Sequence, residues 1–173
     1  MNAGGKYCGN FAEKANGMKN VCISVIKQDV LDEIGRTTAY IGQRKPENAD
    51  KAYGRISTTE ADNAVIERYW QEASDLMIRK LDRFVVSVSK DSNFVLKLGV
   101  SDRYDDTLTY SVATSAYSFF VNYIISKWCE LTDAENVAVY AGNAARRLAD
   151  VSAKIYFKKR PERASIKEEQ QHE

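Results

Sequence analysis

Histidine is nearly missing from this sequence: the one residue, His172, sits in the charged end EEQQHE. That removes histidine-based catalytic triads and multi-histidine metal sites. Cysteine is scarce and odd in number, with Cys8, Cys22 and Cys129 at no CxxC spacing, so neither a zinc site nor a disulfide framework is indicated. A reducing compartment fits such usage. An excess of either charge is also lacking, because 25 basic residues meet 24 acidic ones for a net charge of +1. Such a balance gives no global pull towards nucleic acid or an anionic membrane, and any polyanion contact must be local. The early glycines Gly4, Gly5 and Gly9 lack a preceding strand and a lysine-serine ending, which excludes a phosphate loop. Asp105 and Asp106 lack the spaced ligands and glycine of a calcium loop and read as helix capping. No metal, cofactor or catalytic group is therefore expected, and an enzyme working through carboxylates alone would need paired acids converging in a pocket.

The N-terminal stretch MNAGGKYCGNFAEKANG has neither the apolar core of a signal peptide nor the Arg-rich pattern of a transit peptide, so the protein is expected to stay where it is made. From Tyr110 to Ser126 the chain carries no charge, at the lower edge of a membrane-spanning length. Ser111, Thr114, Ser115, Ser118 and Asn122 interrupt that run, and its bulky residues recur at helical intervals, which favours a buried bundle helix over a membrane span.

At 173 residues the chain suits one domain. Residues 1–20 are polar and glycine-rich and read as an extended arm, and residues 162–173 as a charged, solvated tail, leaving 21–161 as the domain. The run Val21–Ile26 is open between a strand and a buried lead-in to a helix. From Gln28, the spacing of Val30, Leu31, Ile34, Thr38 and Ile41 predicts a helix that Gly42 and Pro46 end. Ser57-Thr58-Thr59-Glu60 has the form of a capping box, which starts a helix with Val65, Ile66, Tyr69, Ala73, Leu76 and Met77 on its core face and its end near Asp82. The pattern then changes to period two through Val86 and Val88, and through Phe94, Leu96, Leu98 and Val100, predicting an antiparallel hairpin at about 84–100. A two-stranded ribbon is marginal alone and must lie on helices, pair with another strand, or reach a neighbouring subunit.

A third helix carries Leu108, Val112, Ser115, Phe119, Tyr123 and Ile124, with Phe120 and Trp128 widening its apolar surface. Thr132-Asp133-Ala134-Glu135 reads as a second capping box, opening a fourth helix with a stripe of Val137, Tyr140, Ala141, Ala144, Leu148, Val151 and Ile155. So short a connection makes the last two helices antiparallel, with Ala141, Ala144 and Ala145 allowing close approach. The fold class expected is mainly α within α+β: a bundle of about four helices with an inserted hairpin.

Two sets of residues are candidates for partner contact. The basic cluster Lys154, Lys158, Lys159, Arg160 and Arg163, interleaved with Tyr156 and Phe157, reads either as a solvated helix end, the commoner case, or as a phosphate or acidic-partner contact. Tyrosine is abundant at ten residues; Tyr69, Tyr123 and Tyr140 fall on core stripes, whereas Tyr7, Tyr40, Tyr53 and Tyr104 fall in or near expected loops and are candidates for interface anchors.

The segments VLDEIGRTTAYIGQRK, AYGRISTTEADNAVIERYWQEAS and SFFVNYIISKWCELTDAENVAVYAGNAARRLADVSAKIYFKKRP, covering roughly residues 28–161, resemble small structural proteins from the virion-assembly region of tailed phages infecting gut Bacteroidales. The resemblance rests on Thr37–Gly42, Arg55–Thr59, Tyr69-Trp70, Asn122-Tyr123, Trp128 and Lys158–Pro161 together, none of them a catalytic motif. It implies a non-enzymatic head–tail connector or neck adaptor, a subunit of a homo-oligomeric ring between portal and tail, often of about twelve copies. It further implies location in the virion, and in the host cytoplasm during assembly, with portal, tail or other neck proteins as partners, no membrane, and non-specific contact with packaged DNA. In such a ring Arg146, Arg147, Lys154, Lys158, Lys159 and Arg160 are the candidates for channel or partner contact. From a different class stands a small helical DNA-binding or regulatory protein using the basic final helix, against which the near-neutral net charge counts.

Overall fold

The structure, a computed structural model, describes residues 18–44, 54, 56–90 and 92–159. The expected arm up to residue 17 with Tyr7 and Cys8, the segment 45–53 with Pro46 and Tyr53, and residues 160–173 with Arg160, Arg163 and His172 lie outside the described residues.

Strand β1 (Met18–Ile26) runs directly into helix α1 (Lys27–Gln43). A 3-10 turn at Glu60–Asp62 leads into α2 (Asn63–Leu81), and another at Asp82–Phe84 leads to β2 (Val85–Ser89) and β3 (Asn93–Ser101). A third, at Asp106–Leu108, opens α3 (Thr109–Thr132), which α4 (Ala134–Tyr156) follows. Among the described residues the chain is thus an α+β fold of four long helices and one small antiparallel sheet.

The sheet order is β1-β3-β2. The expected hairpin is present as β2 and β3, and the open question over Val21–Ile26 resolves to a strand, paired antiparallel with β3 from Met18↔Ser101 to Ile26↔Asn93. Period-two alternation explains the choice: Val21, Ile23 and Val25 are buried and stand opposite Leu98, Leu96 and Phe94, so these pairs form a continuous apolar face. The hairpin is therefore not an isolated ribbon. Residues 18–20 also differ from the expected arm, because Met18, Lys19 and Asn20 complete the β1 ladder against Ser101, Val100 and Gly99. A bulge between Val85 and Ser87 turns Val86 onto the outer face, where it crosses β3 at Gly99; a Cβ there would stand 3.3 Å from Val86 Cγ2.

α3 is the centre of the molecule, in contact with α1, α2, α4 and β1. Its Phe120 ring lies 4.6 Å from Trp70 of α2, 5.0 Å from Phe94 of β3 and 5.6 Å from Phe119, joining two helices and the sheet. Its hydroxyls are returned to its own carbonyls: Thr114 donates to Tyr110 O at 3.0 Å and Ser115 to Ser111 O at 2.9 Å. Among the described residues no helix is long and apolar enough to cross a membrane.

The helix boundaries correct the expected caps. α1 continues through Gly42 to Gln43, with Gly42 buried in its last turn. At the start of α2 the partner of the cap is Asp62 and not Glu60: its carboxylate accepts from both the Thr59 N–H and the Thr59 hydroxyl at 2.8 Å. Thr59 and Asp62 are the pair three residues apart, which is the spacing that reciprocal capping requires. Between α3 and α4 the turn is Asp133 alone, at φ −154° and ψ 80°, while the Thr132 hydroxyl donates back to Trp128 O at 3.0 Å and takes no part in a capping box. So tight a turn forces α4 antiparallel onto α3. Of the three alanines expected between them, Ala144 is buried, whereas Ala141 and Ala145 are exposed beside the contact stripe.

Candidate partner-binding surfaces

Two surfaces bring the candidate residues together. One is the corner where the turn after β3 meets the end of α4. Tyr104 pairs with Lys158 in an isolated antiparallel bridge, and the Lys159 N–H donates to Arg103 O at 2.9 Å, so the chain leaving α4 runs alongside 101–104. Asp105 receives the Thr107 N–H at 3.1 Å and the Thr107 hydroxyl at 2.8 Å, the expected capping role at α3. It also pairs with Lys159 at 3.3 Å. The Thr107 hydroxyl first, with Lys159 behind it, holds the Asp105 carboxyl below the usual aspartate range. Asp106 pairs instead with Lys19 at 2.8 Å, tying the corner to β1.

Around these pairs Arg103, Lys158, Tyr156 and Phe157 are exposed, and the Tyr156 ring meets Phe84 edge-on at 4.8 Å. The corner thus interleaves cations with aromatic surface, a combination able to meet acidic side chains or phosphates.

The expected set divides here. Lys154 is not a free cation: its ammonium pairs with Asp150 at 2.6 Å and donates to Ser115 Oγ at 3.0 Å, while the single Ser115 hydroxyl hydrogen lies within reach of both the same carboxylate, at 2.6 Å, and Ser111 O, at 2.9 Å. This network bolts α4 to α3. Burial opposes the Asp150 charge, but hydrogen bonds from Lys154 and Ser115 outweigh it and lower the pKa. Tyr104 is likewise no surface anchor, being 1% exposed. The Lys158 bridge and the return from Ser101 to α3 fold the turn over its ring, so a loop position becomes a core position. Of the expected internal tyrosines, Tyr69 is buried and Tyr123 and Tyr140 are half-buried.

The second surface is the outward face of α4, where Arg146 and Arg147 are exposed. Arg146 donates to Asn143 Oδ1 at 2.6 Å, and among the described residues neither guanidinium makes an ion pair within 4.0 Å. Asn143, Arg146, Arg147 and Asp150 line a shallow depression there. Val139, one turn before Asn143, is 58% exposed. Tyr40, expected near a loop, stands in α1 at 65% exposed on a face that also carries Asp29, Asp32 and Arg36. Val139, and the exposure of Val86 and Val88 on the edge strand β2, are surface features that residue chemistry missed; the signal available for Val139 was its place off the apolar stripe of α4.

Among the described residues no group of three or more His, Cys, Asp or Glu could hold a metal ion. Comparison with protein families, with curated proteins and with solved structures finds no match to this chain.

Proposed function

We propose that the protein is a non-enzymatic virion component, a head–tail connector or neck ring subunit that joins portal and tail. The observation that carries this reading is the distribution of exposed apolar side chains. Val86 and Val88 lie on the edge strand of the described sheet, Leu131 and Val139 at the α3–α4 turn and along α4, and Tyr110, Tyr156 and Phe157 near the opposite end of that hairpin. Apolar groups placed at several separate outer positions suit a subunit with more than one neighbour, and repetition around a ring multiplies each modest contact. The resemblance over residues 28–161 supplies the kind of assembly. Where a ring surrounds DNA, Arg146, Arg147, Lys158 and Lys159 are the exposed members of the candidate set able to face the channel, Lys159 while paired with Asp105.

Mass measurement of the purified full-length protein, followed by imaging of the particle that contains it, tests the reading. A closed oligomer located between capsid and tail is the expected result, and a monomer absent from the virion overturns it. Deleting residues 1–17, which leaves β1 entire, is expected to preserve folding and impair incorporation.

The interleaved corner of Arg103, Tyr156, Phe157, Lys158 and Lys159 favours a second reading, a small DNA-binding protein. Retention of the isolated monomer on DNA, falling steeply with salt, would support it over the ring.

A further inference from the structure

We infer that the stretch Tyr7–Phe11 of one copy adds as an extra strand to the outer edge of β2 in the next copy. This contact rests on the ring reading above and names where one copy holds its neighbour.

β2 offers the edge. Among the described residues no strand lies against it on the side away from β3, and an extended chain can hydrogen-bond along such an edge. Val85–Ser89 carries neither the charge nor the proline that usually keeps an exposed edge from pairing. The bulge disturbs its first part, while Ser87, Val88 and Ser89 stay in regular register with Lys97, Leu96 and Val95. Apolar groups are exposed on both faces of this edge: Val86 on the outer face beside Gly99, 62% exposed, and Val88 opposite Leu96 on the inner face, 38% exposed. A strand laid beside β2 sends alternate side chains to the two faces and so reaches both valines, whereas a helix or a globular surface docked on one face reaches one of them.

Residues 1–17 supply the strand. They join the described structure at Met18, the first residue of β1, which is the opposite edge of the same sheet. Fully extended they span about 60 Å, roughly twice the length of the nine-residue β1, so their reach exceeds the sheet that they leave. Within them Tyr7–Phe11 is uncharged, between Lys6 and Glu13. In a strand the period of two puts Tyr7 and Phe11 on one face and Cys8 on the other, which gives each valine of the edge an apolar neighbour. Donor and acceptor thus belong to opposite edges of one sheet. That is the arrangement a heterologous contact requires, since each copy gives on one side and receives on the other. To reach its own β2 the same segment would have to double back across β1 and β3, about 10 Å of sheet.

Two full-length variants and their mixture test this. Tyr7→Asp with Phe11→Asp spoils the donor and leaves the edge, while Val88→Asp spoils the edge and leaves the donor. Each alone is expected to self-associate about tenfold more weakly than the wild type, or less. Mixed in equal amounts they form a complex of two chains that grows no further, because one intact donor meets one intact edge, and that complex shows that both variants fold. Hydrogen exchange gives a second reading: the Ser87 and Val88 amides are expected to be better protected in the wild-type oligomer than in the donor variant. Variants that assemble like the wild type, a mixture that gives no two-chain complex, or equal protection of β2 overturns the strand exchange while leaving a ring built through other surfaces. A wild-type chain that is monomeric at every concentration, and missing from the virion, overturns the ring reading itself.

Discussion

α3 and α4 are neighbours of nearly equal length, 24 and 23 residues, yet α3 buries eleven residues and α4 three. α3 is enclosed by elements on several sides; α4 rests on α3 along a single stripe that ends in Val151 and Ile155, and turns Val139, Ala145, Arg146 and Arg147 outward. The difference separates two uses of a helix. One is a keel on which the domain depends, and the other leaves a long face exposed among the described residues.

The comparison breaks most readily inside α3. Phe120→Ala removes the ring that joins Trp70 and Phe94, and is expected to cost about 3–5 kcal/mol in a denaturant titration. A loss no greater than at an exposed site would mean that α3 is not the keel. Smaller is the effect of Trp128→Phe, which leaves the Ile56 carbonyl without the indole N–H now 2.7 Å away; about 1–3 kcal/mol is expected from the same titration.

Asp150→Asn probes the join between the helices. Its folded pKa lies below the ordinary value of 3.8, so the contribution is present above that value and is lost as pH falls through the folded one. Because the Asp150 side chain is 38% exposed, about 0.2–1 kcal/mol is expected near neutral pH. Thermal melts of the two proteins should converge in acid, and a difference that persists at the lowest pH would assign the effect to packing. Smallest of all, Val139→Ser on the outward face is expected to move stability by no more than about 0.5 kcal/mol while weakening assembly. A large loss of stability there would contradict a free face.

Much of this division was legible in the residues. Period 3.6 through Val137, Leu148, Val151 and Ile155 placed the α4 stripe, and period two through Phe94, Leu96, Leu98 and Val100 placed β3. The candidate surfaces were half legible. Arg146, Arg147, Lys158 and Lys159 are exposed as expected, but Lys154 could not be told from them, since Asp150 one turn earlier reads equally as a surface pair. Tyr104 was misplaced because burial of a turn depends on what passes over it, here Lys158, more than fifty residues along the chain.

By itself, the order of residues determined which segments are helical, which alternate, and which side of each is apolar, because side-chain direction within one element follows from local backbone geometry. Only the tertiary structure decided that Val21–Ile26 is a strand, that Tyr104 is core and that Lys154 is a bolt. Those outcomes depend on which elements meet across long separations, and no single element carries that information.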